Sequence, residues 1–135
     1  MRQQLPVDLS APCVARRLVR RWLTALGCGE PEIDDLVLAT NEAVSNAVDH
    51  AYPSGDLSGG ISVQAELLPH GDGAHQVVIT VADGGVWQPM PAVRGYRGRG
   101  LLLMRALTES LELHNTGAGT RVRMTSRPLR LIGLA

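Results

Sequence analysis

From residue 31 to 52 the chain reads as one long amphipathic helix, and no other feature restricts the fold as much. Turning each residue by about 100° around the helix axis gathers Ile33, Leu36, Val37, Val44, Ala47, Val48 and Ala51 into one apolar stripe. A stripe of that length needs a second layer to cover it. Glu42 and Asn46 stand one turn apart and share a face roughly opposite the stripe, with Asp35 beside them. Ala39 and Ala43 fall among these polar positions and are expected to leave room for a ligand. From Glu30 to Tyr52 there are six acidic residues and no basic one. A merely solvated helix mixes both signs for pairing along its surface, so this run calls for a metal ion or for arginines from elsewhere. A carboxylate beside an amide oxygen on a rigid helix suits Mg²⁺ binding and the activation of a hydroxyl.

The rest of the chain supplies that second layer. Residues 2–8 suit a short edge strand. A helix is expected over 11–26, with Ser10 as its N-cap, Pro12 in its first turn and Gly27 at its end. Val14, Leu18, Trp22 and Leu26 are expected on its inner side, and Arg16, Arg17, Arg20 and Arg21 largely on the others. The alternating run 61–67 and the more apolar run 76–82 predict two strands, the second the more central, with a turn over 69–74. A long loop over 83–100 precedes a helix over 101–110. Two more strands, 111–114 and 120–124, flank a turn at 115–119. Helices grouped early and strands mostly later predict an α+β fold, a two-layer sandwich with a mixed, mainly antiparallel sheet packed against three helices. At 135 residues, the whole of 1–135 is expected to form a single domain.

Composition excludes several functions. Net charge is zero, which argues against a broad nucleic-acid surface. No apolar run is long enough to span a bilayer, and there is no signal-peptide pattern, so a cytoplasmic location is expected. All thirteen basic residues are Arg, and without Lys neither a P-loop nor a protein-kinase fold can be built. Cys13 and Cys28 lack metal-ligand spacing and read as buried or idle thiols.

Two further motifs bear on chemistry. Asp83-Gly84-Gly85 follows the central strand, where a carboxylate can accept from an exocyclic amine and the glycines let a flat ring approach; a plain turn reads the same way. Gly98, Gly100 and Leu101 run into a helix start, where exposed backbone N–H groups and the helix dipole favour phosphate. Arg94, Arg97 and Arg99 could clamp outer phosphates. In order, the chain offers a metal-binding helix, a base-recognising aspartate and a phosphate loop.

This ordered set resembles the Bergerat-fold ATPases, the superfamily of gyrase, Hsp90, histidine kinases and MutL. Glu42-x-x-x-Asn46 is similar to the family's N box, Asp83-x-Gly85 to its G1 box, Gly98-x-Gly100-Leu101 to its G2 box, and Gly119-Thr120 to its closing Gly-Thr pair. The phrases from Asn41 to Tyr52 and from Arg97 to Met104 resemble the anti-sigma-factor serine kinases of the SpoIIAB and RsbW type. The resemblance covers residues 5 to 126 and implies ATP and Mg²⁺ as cofactors. It implies that Asn46 coordinates Mg²⁺, Glu42 is the general base, Asp83 accepts from the adenine amine, the backbone around Gly98 and Gly100 binds phosphates, and Thr120 sits near the adenine edge. It implies an anti-anti-sigma protein of the STAS type as substrate and a sigma factor as second partner; a homodimer is compatible with it. Val86-Trp87 stands where many members carry a second G1 glycine. The alternative is a non-catalytic ATP-binding interaction module, or a detached domain of a larger signalling protein.

Overall fold

The computed structural model describes residues 1–54, 59–84, 98–116 and 119–132. Their order is β1 (Arg2–Leu5), α1 (Ala11–Leu26), α2 (Glu30–Ser54), β2 (Ile61–Gly71), β3 (Ala74–Asp83), α3 (Gly98–Leu107), β4 (Ser110–Thr116) and β5 (Gly119–Thr125). The five strands form one sheet in the order β1-β2-β3-β5-β4, and every ladder in it is antiparallel. The three helices and the sheet make the expected α+β sandwich. β3 is central, as its apolar run requires.

Strand alternation sets the two faces of the sheet. Ile61, Val63 and Ala65 of β2, Val77, Ile79 and Val81 of β3, and Val122 and Met124 of β5 are buried and share one core with the helices. Ser62, Gln64, Glu66, Thr80, Arg121 and Arg123 occupy the other face. Burying one face of a sheet under amphipathic helices is what fixes its register, because a slip of one residue would turn every apolar side chain outward.

Local signals placed the element ends unevenly. Gly27 adopts φ +88° and closes α1 in the left-handed conformation. Ser10 caps differently from expectation: its side chain makes no cap bond to the helix, and its own N–H and hydroxyl both donate to Asp8 Oδ1. The inner stripe of α1 also differs. Ala11, Ala15, Val19 and Leu23 are buried, Leu18, Trp22 and Leu26 flank them, and Val14 is exposed. The small alanines let α1 lie close to α2, so the bulky residues moved to the flanks. β2 runs on through Pro69 and His70, with a register shift between Pro69 and Gly71, and the turn shrinks to Asp72-Gly73. α3 begins at Gly98, three residues earlier than expected.

Candidate functional site

The apolar stripe of α2 is where the sequence put it: Ile33, Leu36, Val37, Val44, Ala47 and Val48 are all buried. Ala51 is in the helix, but its side chain lies outside the described residues. The opposite face is not open in the way expected. Ala39 and Ala43 have no exposed surface and belong to the core. The cause is α3. At one end of this helix pair, Gly100 lies against Glu42 and Asn46. At the other, Leu107 lines a cleft with Asp35 and Leu36. Thus α3 runs antiparallel along α2, and the two alanines sit between these contacts. Their small size admits a helix, not a ligand.

The start of α3 meets the polar pair closely. A Cβ built on Gly100 would lie 3.2 Å from Asn46 Nδ2, 3.3 Å from Glu42 Oε2 and 3.5 Å from Asn46 Oδ1. Glu42 is partly exposed, whereas Asn46 is buried, with 7% of its surface accessible. Among the described residues the Asn46 side chain has no hydrogen-bond partner. Its backbone carbonyl is engaged with His50 Nδ1 at 2.6 Å, one turn on. The first N–H groups of any α-helix lack intrahelical acceptors, so α3 presents such groups beside a carboxylate and an amide.

Asp83 and Thr120 form the other half. They are directly paired across the β3–β5 ladder, on the parity that faces the helices. Gly119 makes this approach possible. It adopts φ +141°, and a Cβ there would lie 2.1 Å from the Asp83 carbonyl oxygen. Thr120 is buried and its hydroxyl donates to Asn115 Oδ1 at 2.9 Å. Asn115 was not singled out from the sequence, although an Asn flanking a Gly-Thr turn was visible there.

Some of the remaining candidates fall within the described residues. Gly98 and Arg99 are in the first turn of α3, and the Arg99 side chain is outside the described residues. Leu101 is half-buried against the core. Gly85, Arg94 and Arg97 lie outside the described residues, as do Val86 and Trp87. The acidic run of α2 does find arginines: Arg20 of α1 pairs with Asp34 at 3.0 Å and Glu30 at 3.6 Å. Arg16 donates to Asn41 Oδ1. Glu42 is not part of that exchange. Cys13 and Cys28 are free thiols, neither fully buried, and burial together with nearby Glu32 raises the Cys28 pKa. Among the described residues no helix is long and apolar enough to cross a membrane.

Comparison with known proteins bears on the family and the fold. Residues 5–126 match the histidine kinase-like ATPase domain family. The chain is 32% identical over 123 residues to an anti-sigma F factor of Caldanaerobacter subterraneus subsp. tengcongensis, covering 82% of this chain and 81% of the relative. The crystal structure of the RsbU and RsbW domains of a Mycobacterium tuberculosis protein matches with a TM-score of 0.75 and 31% identity. That match covers 96% of this chain and 32% of the other, so this chain spans about a third of the crystallised chain's length. The Pseudomonas aeruginosa SiaB–SiaC complex matches with a TM-score of 0.66 and 15% identity, over 93% of this chain and 88% of the other. At that identity the likeness is one of fold alone.

Proposed function

The chain belongs to the histidine kinase-like ATPase domain family, in its SpoIIAB/RsbW anti-sigma-factor branch, and from this we propose that it is an ATP-dependent protein serine kinase acting as an anti-sigma factor. Its substrate is a serine on an anti-anti-sigma protein of the STAS type, and it sequesters a sigma factor. The observation that supports this reading is the close approach of Gly100, at the start of α3, to both Glu42 and Asn46.

Each residue has a role set by its chemistry. Asp83 accepts a hydrogen bond from the adenine amine, and Thr120 lies beside it at the adenine edge. The N–H groups of the first turn of α3, at Gly98 and Gly100, receive phosphate oxygens, and Leu101 holds that turn against the core. Gly85 lets the base approach the backbone, and Arg94, Arg97 and Arg99 meet the outer phosphates. Glu42 Oε2 takes the proton of the attacking serine hydroxyl.

The donor set fits Mg²⁺. Asn46 offers one amide oxygen and has no competing side-chain partner among the described residues. No group of three or more His, Cys, Asp or Glu that could hold a metal occurs among them. Mg²⁺ favours such sites, with one or two protein oxygens and the rest from water and phosphate. When bound, it would neutralise charge on the transferred phosphoryl group. The deciding experiment is transfer of labelled phosphate from ATP to a purified STAS-type partner. Transfer that requires Glu42 supports the proposal; ATP binding with no transfer to any partner overturns the kinase reading and leaves a nucleotide-dependent interaction module.

A further inference from the structure

The end of the sheet beside Gly119 changes character in a single step. Direct partners across neighbouring ladders share a face, so the helix side of β3, β5 and β4 can be read in rows. Ile79, Met124 and Leu111 make one row, and Val81, Val122 and Leu113 the next. The third row is polar throughout: Asp83, Thr120 and Asn115. Asp83 and Thr120 already have roles at the adenine end of the proposed site. Asn115 has none, and it is exposed where Thr120 is buried.

One hydrogen bond inside this row decides what the row can offer a ligand. A threonine hydroxyl has one proton to give and two lone pairs that receive. The Thr120 hydroxyl gives its proton to Asn115 Oδ1 at 2.9 Å. Asp83 flanks Thr120 on the opposite side, across the β3–β5 ladder. On that side Thr120 presents an oxygen that only accepts. An ionised Asp83 carboxylate is acceptor-only as well. Direct partners stand about 4.5–5.5 Å apart at Cβ, near enough for one edge of a base to meet both. The 6-amine of adenine carries two hydrogens and suits two acceptors. The 6-oxo group of hypoxanthine or guanine has only lone pairs and would face two acceptors with no proton between them.

We infer that Asn115 is a positioning residue for base selection. By holding the Thr120 proton it fixes Thr120 as an acceptor, and so strengthens the choice of a 6-aminopurine over a 6-oxopurine. It does this through Thr120, without touching the base. The inference rests on the reading of Asp83 and Thr120 as the adenine end of the site. Released from Asn115, the Thr120 hydroxyl can rotate and donate to a 6-oxo group, which the present bond prevents.

Calorimetric titration of the full chain with ATP and with ITP, which carries a 6-oxo group in place of the 6-amine, tests this. The parent should prefer ATP. Asn115→Ala should lower the ATP-to-ITP affinity ratio by about three- to tenfold, the worth of one neutral hydrogen bond, mainly by strengthening ITP. Lost packing alone would weaken both nucleotides alike and leave the ratio where it was. Asn115→Asp places two oxygens and no N–H at that position, so it must accept. Its added charge acts on both nucleotides alike, and the ratio should stay near the parent's. In a Thr120→Val background, Asn115→Ala should no longer move the ratio, because no hydroxyl remains to turn. A parent that prefers ATP by a ratio that Asn115→Ala does not lower overturns the inference and leaves the nucleotide site standing. So does an Asn115→Asp ratio as low as that of Asn115→Ala, or a fall in ratio that persists without the Thr120 hydroxyl. A parent that binds neither nucleotide overturns the reading of the site and this inference with it.

Discussion

Gly119 and Asp83 meet backbone to backbone, close enough that the Asp83 carbonyl oxygen occupies the place where a side chain on Gly119 would begin. The start of β5 is thereby drawn against the end of β3, and Thr120 is set beside Asp83. A β-carbon at Gly119 must push these strand ends apart, and its φ of +141° is also one that other residues rarely adopt. Gly119→Ala is expected to lose at least about 1–3 kcal/mol of stability and to bind nucleotide more weakly. Urea unfolding and calorimetry check the two effects; a variant as stable as the parent would show that the strand ends part without cost.

Asp83→Asn should cut ATP affinity strongly. If Asp83 accepts from the adenine amine as proposed, the substitution keeps size but turns part of that acceptor into a donor, leaving a polar pair mismatched. Unchanged affinity by calorimetry would remove Asp83 from base recognition.

Glu42→Gln should bind ATP normally and transfer phosphate about 10²–10⁴-fold more slowly, the usual range for a lost general base. The amide keeps the shape beside Gly100 but cannot take the proton. Near-parental transfer rates would assign the proton to another group.

Gly100→Ala separates folding from positioning. In the first turn of a helix alanine's advantage over glycine is smaller than the interior value of about 1 kcal/mol, so the melting temperature should hold. The new methyl would stand 3.2 Å from Asn46 Nδ2 and 3.3 Å from Glu42 Oε2, and both must shift by a few tenths of an ångström. Phosphate transfer should then fall by about tenfold or more. A stable variant with full transfer would show that the contact does not position the pair.

The α2–α3 seam should be far less tolerant than the α1–α2 ion pairs. Ala43→Leu adds volume where no surface is accessible and should cost about 1–3 kcal/mol or more. Arg20→Ala removes pairs to Glu30 and Asp34 whose side chains are largely exposed, and should cost less than about 1 kcal/mol. Chemical denaturation of both variants ranks them, and a larger loss for Arg20→Ala would reverse the assignment.

Much of this protein was legible in the sequence because it rests on short-range rules. The 3.6-residue period gave α2 and the stripe from Ile33 to Val48. The apolar alternation of 76–82 gave the central strand, and Gly27 gave the end of α1. The order of Glu42, Asn46, Asp83, Gly98, Gly100 and Thr120 gave the family. What tertiary structure alone decided is which surface covers which face. Periodicity marks Ala39 and Ala43 as small residues among polar ones, but it cannot say whether a ligand or a helix fills the space. That depends on α3, more than fifty residues away in the chain, docking antiparallel along α2. The inner stripe of α1 moved to Ala11, Ala15, Val19 and Leu23 for the same reason: a close helix partner selects small residues over bulky ones. Gly100 reads in sequence as a helix-start glycine and Gly119 as a turn glycine, and only the meeting of distant segments shows what a side chain there would strike. Local interactions fix what each segment is, and packing between segments fixes which residues share a site.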